Sequence, residues 1–370
     1  MRVVICGGGV VGACLAYFLS LRRGVEAVVV ERTGIACAAS GKAGGFLALD
    51  WCDGSPLGPL ARRSFALHAG LAADLGGEER WGYRGLETLA VLASARRDPG
   101  GRRGRAPDWL GGRAVLRGRL GTPATTAQVH PARFTEAVMG AAVGRGARLR
   151  PGTVGGVALT PDGSAVTGAV VDGEVVPADA VVVAMGPWSG LACRWLPLPA
   201  VGGLKGNSLL LRTDPPLVPG ALFAEVEDAA GEAHAPEVFP RPDGTTYVCG
   251  LSGDGPLPED PAEVGPDPGA PERLRAIVRA VAPALGGAEV LEARACHRPV
   301  TADGLPLLGR VPGVAGAYVA TGHGPWGILN GPASGEALAG LVAGGEAHAV
   351  DLSPFDPARL PMWQSSAARA

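Results

Sequence analysis

The glycine pattern at residues 7–12 constrains the fold more than any other feature of this chain. These residues form a G-x-G-x-x-G that directly follows an apolar run, Val3–Cys6, and opens a segment apolar on all faces, Val10–Leu21. A second apolar run ends at Glu31. This order of features predicts a βαβ unit that binds a dinucleotide: a strand, a glycine turn, a buried helix, a second strand and an acidic residue at its end. The alternative is a glycine-rich turn in an unrelated α/β protein.

Each position of this motif has a physical task. Gly7 allows a tight turn, Gly9 lets backbone N–H groups approach a pyrophosphate at the helix N-terminus, and Gly12 lets helix and strand pack closely. Glu31 is placed to accept hydrogen bonds from a ribose diol. The predicted cofactor contacts in this unit are Gly7, Gly9, Val10, Val11, Gly12, Glu31 and Arg32.

Composition excludes several classes of protein. The chain has 370 residues, of which 47% are hydrophobic, so it is long enough for two domains or one large composite. A net charge of −2 gives no support for nucleic-acid or anionic-membrane binding, and no apolar run reaches the ~18 residues of a membrane span. Seven cysteines without a C-x-x-C argue for a reducing compartment and against zinc, and no metal site is expected. We predict a cytoplasmic protein, or an organellar one if a transit sequence precedes this chain; the sequence makes no prediction of oligomeric state.

Hydrophobic periodicity predicts several further elements. Helices are expected at 59–75, from residue 131 onward, at 273–285 and at 332–342, and strands on both sides of a turn at 161–163 and at 180–185, 205–212, 245–251 and 317–321. The Arg- and Gly-rich stretch 95–121 is predicted to be an exposed loop, 259–271 a linker, and the last fifteen residues a frayed end.

Nucleotide-binding features at the start, middle and end of the chain predict a discontinuous cofactor domain. We assign residues 1–84, 126–197 and 294–349 to it, residues 85–125 and 198–293 to a substrate domain, and residues 350–370 to a C-terminal tail. The predicted fold class is α/β, a Rossmann-like domain carrying an inserted antiparallel-sheet α+β domain.

Three further motifs accompany the N-terminal one. Residues 181–189 read as a strand ending in Ala-x-Gly-x-Trp-Ser, residues 298–309 contain Arg-Pro and Asp-Gly-x-Pro, and residues 321–328 contain Gly-His-Gly before a helix. In this order the four motifs resemble the D-amino-acid-oxidase-like family of FAD-dependent oxidoreductases, relatives of glycine oxidase and sarcosine oxidase. The resemblance covers nearly the whole chain except residues 90–125 and 215–290.

The resemblance implies FAD as cofactor and adds candidate contacts. Residues 40–45 are placed beside the isoalloxazine, residues 184–188 near the adenosine half, and residues 322–329 near flavin N1 and O2, where a helix N-terminus stabilises negative charge. The additional cofactor candidates are Ser40, Gly41, Gly44, Gly45, Ala184, Gly186, Trp188, Gly322, His323, Gly324, Gly327, Ile328 and Leu329.

Four residues are candidates for the reaction itself. Arg298 matches the position that binds the substrate carboxylate in amino-acid-oxidising members, and a guanidinium fork suits that group; the alternative is a pair with Asp303. Lys42 and Lys205 are the only lysines among 33 basic residues, and either is predicted to assist electron transfer to oxygen or to hold an anionic substrate; the alternative is that both are surface residues. Tyr247 is the one plausible tyrosine for a substrate pocket.

The predicted function follows from these residues. We expect a flavoenzyme that oxidises a C–N bond of a small amine or amino acid by hydride transfer to flavin N5, with oxygen or another electron acceptor. Non-covalent FAD is favoured over attachment through Cys296, because His297 and Arg298 after it are typical of the non-covalent branch. The alternatives are an NAD-dependent dehydrogenase and a flavin-binding assembly or trafficking factor with little turnover.

Overall fold

The structure is a computed structural model that describes residues 1–97, 99–100, 107–111, 113–214, 217–218, 220–347 and 349–363. The strands are β1 Arg2–Cys6, β2 Glu26–Glu31, β3 Phe46–Ala48, β4 Arg84–Gly85, β5 Thr88–Ser94, β6 Ala114–Gly121, β7 Thr126–Gln128, β8 Arg148–Pro151, β9 Val154–Leu159, β10 Val166–Val171, β11 Glu174–Pro177, β12 Ala180–Val183, β13 Gly202–Arg212, β14 Ala221–Glu227, β15 Ala233–His234, β16 Glu237–Pro240, β17 Thr245–Gly253, β18 Val290–Val300, β19 Leu307–Arg310 and β20 Ala317–Thr321. The helices are α1 Val10–Ser20, α2 Ala39–Lys42, α3 Gly58–Leu75, α4 Gly77–Trp81, α5 Pro131–Gly144, α6 Ala270–Val281, α7 Pro283–Gly287 and α8 Gly327–Gly344.

A six-stranded sheet in the order β19-β20-β12-β1-β2-β8 forms the first half of the molecule. Its strands are parallel except β19, which pairs antiparallel with β20. Continuous apolar strands such as β1 and β12 are typical of parallel sheets covered on both faces. Here α1, α5 and α8 bury one face, and the small sheet β11-β10-β9 packs on the other.

An eight-stranded sheet forms the second half, in the order β18-β13-β17-β16-β14-β5-β6, with β15 beside β14. Its pairs are antiparallel except β14 with β5. Helix α6 packs its apolar side on one face, where Leu274 and Ile277 meet Leu209 and Val248. The predicted fold class, a Rossmann-like unit with an antiparallel-sheet insertion, is confirmed.

The predicted domain boundaries stay a prediction. Strand β18 runs through the expected boundary at residue 294, because Val290–Val300 pairs with β13 along most of its length. The three-stranded sheet β3-β7-β4 likewise joins segments on both sides of the predicted insertion at 85–125.

Three predicted elements are corrected. The stretch 95–121 is not wholly a loop, since β6 pairs with β5; residues 98, 101–106 and 112 of it lie outside the described residues. The helix predicted at 273–285 is two helices, because Pro283 has no N–H to continue α6. Helix α8 begins five residues before the predicted start and carries Pro332 inside it.

The C-terminal segment is also more ordered than predicted. Phe355 is fully buried, and the Arg359 guanidinium pairs with the Asp303 carboxylate at 2.8 Å. Residues 349–363 therefore pack on the molecule, while 364–370 lie outside the described residues. The linker predicted at 259–271 contains a short 3₁₀ turn, Pro261–Glu263, before α6 begins.

All seven cysteines are free thiols. Within the described residues, the search for a helix both long enough and apolar enough to cross a bilayer finds none.

Candidate active site

A cavity of about 410 Å³ lies between the two large sheets. One side is built from the carboxyl ends of the parallel strands, with Gly7 after β1, Glu31 at the end of β2 and Ala184 after β12. The other side is the face of the eight-stranded sheet that α6 does not cover. Open α/β sheets bind ligands outside the carboxyl ends of their strands, so this cavity is the expected place for the cofactor.

The three motif glycines have different surroundings. Gly7 has a φ of +113°, and a Cβ there would lie 2.5 Å from the Ala184 carbonyl oxygen. A Cβ on Gly12 would lie 2.0 Å from the Gly7 carbonyl oxygen, so α1 and β1 can touch only through glycine. Gly9 has an ordinary φ of −74°, and its Cβ would meet only Ser40 Oγ, at 3.1 Å. The first and third glycines thus serve the fold, and the second keeps a cradle open that a side chain would fill.

Glu31 lines this cradle and organises the backbone around it. Its Oε2 accepts from the N–H of Gly8 at 2.7 Å, and its Oε1 accepts from the N–H of Thr33 at 2.8 Å. Oε1 also accepts from the Gly34 N–H at 3.3 Å, so it is Oε2, with one donor, that retains an acceptor position for a ribose hydroxyl. The Val10 N–H in the first turn of α1 donates to Ser40 Oγ at 2.9 Å.

The first turn of α8 forms another part of the cavity lining. Gly327 and Ile328 line the cavity, so the positive end of this 18-residue helix faces it. His323 also lines it, with Nε2 2.9 Å from Ser334 Oγ. Burial lowers the pKa of His323 to about 4, which keeps the ring neutral near pH 7. Positive potential here therefore comes from the helix end, with no contribution from an imidazolium.

The cavity brings together most of the predicted site residues. Those that line it are Gly7, Gly9, Val10, Val11, Glu31, Arg32, Ser40, Gly44, Gly45, Ala184, Gly186, Trp188, Tyr247, Arg298, His323, Gly324, Gly327 and Ile328. Those outside its lining are Gly12, Gly41, Lys42, Lys205, Gly322 and Leu329.

The predicted contacts of Gly41, Gly322 and Leu329 are replaced by packing roles. A Cβ on Gly41 would lie 2.1 Å from the Ala36 carbonyl oxygen, and one on Gly322 would lie 2.7 Å from Thr301 Cγ2. Leu329 is 1% exposed and belongs to the core around α8. The glycines hold close backbone approaches behind the cavity wall.

Comparison with known proteins agrees with this geometry. A sequence profile of the FAD dependent oxidoreductase family matches residues 2–341. The chain belongs to this family. It is 30% identical to glycine oxidase of Geobacillus kaustophilus over 96% of each chain, and 30% identical to a putative oxidoreductase of Schizosaccharomyces pombe over 96% of this chain and 97% of that one. The crystal structure of the Geobacillus kaustophilus glycine oxidase superposes with a TM-score of 0.80, covering 97% of this chain and 99% of that chain at 27% identity.

The chain is therefore an FAD-dependent oxidoreductase, and the alternative of an NAD-dependent dehydrogenase is set aside. The alternative of a flavin-binding assembly or trafficking factor with little turnover stays untested. The described residues fit the cofactor. The open backbone at Gly9 and the N-terminus of α1 suit the pyrophosphate, Glu31 suits the ribose, and the N-terminus of α8 suits the electron-accepting end of the flavin.

Arg298 lies on the cavity side of β18. Alternate residues of a strand face opposite ways, and here Cys296 and Arg298 line the cavity while His297 Nε2 contacts the Gly255 carbonyl oxygen at 3.1 Å on the other face. Arg298 Nη1 donates to Ser252 Oγ at 3.2 Å. The alternative pair with Asp303 is wrong, because the Asp303 carboxylate is held by Arg359.

Aromatic rings form the wall of the cavity beside the eight-stranded sheet. The Phe46 ring lies 4.9 Å from Trp51 and 5.0 Å from Phe223 between centroids. Phe239 stacks on Tyr247 with centroids 6.0 Å apart. Tyr247 is 5% exposed, and burial raises the pKa of its hydroxyl well above the usual value. Of these five rings the sequence indicated only Tyr247, since the others come from distant segments without a shared local pattern.

Glu237 is a further cavity residue that the sequence did not indicate. It begins β16, pairs across strands with Cys249 and Phe223, and lines the cavity. Burial raises the pKa of its carboxyl group, and the nearby Arg298 charge opposes that rise. A glutamate at the start of a short strand has no sequence signature that separates it from a surface residue.

The two lysines hold a cover segment instead of facing the cavity. This segment, residues 255–267, is here called the strap. Lys205 Nζ pairs with Asp267 Oδ1 at 2.6 Å, and Lys42 Nζ donates to the Val264 carbonyl oxygen at 3.3 Å. Both ammonium groups are thus directed to the strap, which removes the structural support for a role at the oxygen-reacting centre.

Predicted cofactor residues also bind the strap. Arg32 Nη2 pairs with Asp260 Oδ2 at 3.0 Å, and Trp188 Nε1 donates to the Pro258 carbonyl oxygen at 2.8 Å. Glu259 and Pro261 of the strap line the cavity next to them. The strap therefore covers the cofactor cavity and is held there by side chains from both halves of the molecule.

Cys296 lines the cavity as a half-buried free thiol. Burial raises the pKa of this thiol, and the thiolate is the form that attacks electrophiles. The environment therefore works against covalent attachment and agrees with non-covalent FAD.

Proposed function

We propose that this enzyme oxidises the Cα–N bond of a small amino acid, with FAD as hydride acceptor and oxygen as the final electron acceptor. The observation that carries the proposal is Arg298, a guanidinium on the cavity side of β18 whose partner is a neutral hydroxyl, Ser252. A guanidinium that faces a cavity without a protein carboxylate on it suits the carboxylate of a ligand.

FAD, Arg298, the aromatic wall and the N-terminus of α8 each have a separate role in the proposed reaction. FAD supplies the hydride acceptor when bound. The planar fork of Arg298 fixes the substrate carboxylate, so the Cα–H bond takes one orientation in the cavity. The aromatic wall of Phe46, Trp51 and Phe223 excludes water beside it, and the N-terminus of α8 favours negative charge at its own end of the cavity. The similarity to glycine oxidase over nearly the whole of both chains supports an amino acid as substrate.

Anaerobic mixing of the holoenzyme with amino acids and amines tests the proposal. We expect bleaching of the flavin absorbance by at least one carboxylate-bearing amine and none by the same amine without its carboxylate. Arg298→Lys keeps the charge but loses the fork, so the substrate concentration for half-maximal bleaching should rise at least tenfold, with FAD content unchanged. Arg212→Lys, at an exposed pair with Glu289, is the matched control and should behave as wild type.

The electron acceptor is tested separately. After bleaching, air should restore the oxidised spectrum within seconds and release one hydrogen peroxide per substrate oxidised. Reoxidation that is slow in air but fast with a quinone or dye contradicts oxygen as acceptor, while leaving the amine-oxidising half of the proposal intact.

A further inference from the structure

Glu237 presents a carboxylate to the same cavity as Arg298, and the two charges do not neutralise each other by contact. Glu237 Oε2 accepts from Cys249 Sγ at 3.5 Å, and among the described residues no group donates to Oε1. Arg298 has Ser252 as its side-chain partner. Glu237 is half-buried and lines the cavity, so its Oε1 is open to a donor from a ligand bound there.

Strand register brings the two charges toward each other. A Cβ on Gly206 would lie 3.3 Å from Arg298 Nη2, so the guanidinium extends over β13 at the position where glycine leaves room. Gly206 pairs with Ser252 on β17, and Glu237 stands on β16, the next strand. Strands β13 and β17 separate Arg298 on β18 from Glu237 on β16, but both side chains line the cavity on the same sheet face, and the guanidinium reaches across β13 to Ser252 on β17.

We propose that Glu237 and Arg298 together bind a zwitterionic α-amino acid, with the carboxylate on Arg298 and the ammonium on Glu237, and that Glu237 accepts the proton which this ammonium must lose. The inference rests on the proposed function and deepens it. It assigns Glu237 a catalytic role and selects amino acids over amines that lack a carboxylate and over carboxylates that lack an amine.

The proton transfer balances without any further reagent. An ammonium has no lone pair with which to form the C=N bond of the product. Transfer of one proton from the substrate ammonium to Glu237 gives a neutral amine, which has that lone pair, and a neutral carboxylic acid. Burial raises the pKa of the Glu237 carboxyl group, so its carboxylate is a stronger base than that of an exposed glutamate; the hydrogen bond from Cys249 and the Arg298 charge oppose that rise.

The other ionisable groups facing Glu237 do not compete for this proton. Burial raises the pKa of the Cys249 thiol well above its usual value, and it raises the pKa of the Tyr247 hydroxyl in the same way. The pKa of the Cys296 thiol is also raised by burial. All three stay neutral while Glu237 changes its charge, so among the described residues that line this end of the cavity Glu237 and Arg298 carry the charge; the Arg241 guanidinium lies behind the lining, 5.7 Å from the centroid of the Tyr247 ring.

The aromatic wall adds a side-chain preference. Phe46, Trp51 and Phe223 lie within about 5 Å of one another by ring centroid next to Glu237 on β16. Phe223 is its direct cross-strand neighbour. A bulky apolar substituent on Cα buries its surface against these rings, so a phenylalanine-sized amino acid should bind more tightly than glycine.

Binding to the oxidised holoenzyme tests the assignment without turnover. The probes are D- and L-phenylalanine, glycine, and 3-phenylpropanoate, which lacks the amine. Binding is measured as a change in the flavin absorbance spectrum. For a probe that reduces the flavin, the initial rate of bleaching is measured under anaerobic conditions as a function of probe concentration. We expect Glu237→Gln to weaken binding of the better phenylalanine enantiomer at least tenfold and to leave 3-phenylpropanoate within twofold of wild type. Arg298→Lys should weaken both.

The pH profile separates proton acceptance from simple binding. At saturating phenylalanine, Glu237→Gln should bleach about 100-fold more slowly than wild type at pH 7 and regain most of the rate near pH 10, where the free amine forms in solution. Glu225→Gln, on exposed β14 surface, is the matched control and should change neither binding nor rate. FAD content and melting temperature verify that each variant folds. If Glu237→Gln is unstable, Glu237→Asp replaces it; this variant keeps the carboxylate and should retain the wild-type preference for zwitterions.

The outcomes distinguish this inference from the proposed function. Equal binding of phenylalanine by wild type and Glu237→Gln, or no binding of either phenylalanine enantiomer by wild type, overturns the inference while bleaching by other amines still supports oxidation. A second outcome is that the wild-type enzyme binds zwitterions through Glu237 but its flavin is not bleached by them. That result contradicts the proposed oxidation and the proton transfer, and leaves only the role of Glu237 and Arg298 in binding.

Discussion

At Gly9 the missing side chain serves the ligand, whereas at Gly12 it serves the fold. Gly9 has an ordinary φ of −74° and faces the cavity. A Cβ on Gly12 would overlap the Gly7 carbonyl oxygen at 2.0 Å. Substitution of Gly9 should therefore affect FAD binding, whereas substitution of Gly12 should affect folding. A measurement of folding alone would not detect the effect at Gly9.

Gly9→Val should therefore produce a folded protein that purifies without FAD. Its branched side chain occupies the pyrophosphate cradle, while the only protein atom near its Cβ is the flexible Ser40 Oγ. The ratio of flavin to protein absorbance should fall below a tenth of wild type, and the melting temperature should match that of wild-type apoprotein. Gly140→Ala, at an exposed helical site with nothing within 4 Å, is the control and should keep full FAD. A yellow Gly9→Val protein would refute the cradle.

Single residues also show where sequence reasoning ends. The spacing of the motif glycines and Glu31 predicted a cofactor cradle because those positions are fixed within one βαβ unit. Glu237 and Phe223 could not be predicted, because they meet only through the pairing of β14 with β16, which depends on the whole sheet. Local patterns thus identify the cofactor side of the cavity, and tertiary pairing builds the substrate side.

Among the elements, helix α8 contains a proline that a neighbouring helix compensates. Pro332 has no N–H, so the Ile328 carbonyl four residues earlier lacks its helical donor. His68 on α3 donates from Nε2 to that oxygen at 2.9 Å, and Ser64 Oγ accepts from the Ala333 N–H at 3.0 Å. The first turn of α8, which faces the flavin site, is thereby braced by α3.

His68→Leu should destabilise the protein by about 1–3 kcal/mol, because it leaves a buried carbonyl without a donor. The same change should weaken FAD binding, since Ile328 lines the cavity. Denaturant unfolding of the apoprotein and FAD titration measure the two effects. Glu336→Gln breaks the Arg63–Glu336 pair between the same helices and is the control, with an expected loss below about 1 kcal/mol. Equal losses in the two variants would contradict the bracing role.

Lys42 and Lys205 anchor the strap, and this structural role can be tested separately from a role in flavin reoxidation. Lys205→Met and Lys42→Met each remove one anchor of residues 255–267. We expect FAD to dissociate at least threefold faster on dilution and proteases to cleave the strap sooner, with reoxidation in stopped flow unchanged. Arg310→Met, which removes an exposed contact to the Gly345 carbonyl oxygen, is the control. Slower reoxidation with normal FAD retention would restore the oxygen hypothesis.

At the scale of the whole molecule, the active site is the space between two sheets with different construction. The central strands of the parallel sheet, β1, β2, β12 and β20, were predictable, because they are apolar runs buried in the core. The edge strand β8 was not, because its sequence Arg-Leu-Arg-Pro is mostly exposed. The inserted sheet was predictable as strands at 205–212 and 245–251, but its order was not. Strand order depends on long-range pairings such as β14 with β5, which no local pattern encodes.

The buried histidines make the whole molecule sensitive to mild acid. His68 and His323 are both at most 4% exposed, and burial lowers the pKa of each from the ordinary 6.5 to about 4. Between those two values the unfolded chain binds more protons than the folded one, so the free energy of unfolding falls as pH falls from about 6.5 to 4. Each histidine should contribute a loss of roughly 2 kcal/mol between pH 7 and 5.

Denaturant unfolding of the apoprotein at pH 7 and pH 5 measures this slope. The paired carboxyl of Asp303 has a pKa lowered to about 2, so its contribution is lost only as pH falls below its unfolded value, outside that interval. His68→Gln keeps a donor for the Ile328 oxygen but cannot titrate, so its loss between pH 7 and 5 should be smaller than that of wild type by roughly 2 kcal/mol. The comparison is of slopes, because the variant also differs in stability at pH 7. An unchanged slope would mean that the pKa of His68 is not lowered in the folded protein, and the acid sensitivity would then have to come from other groups.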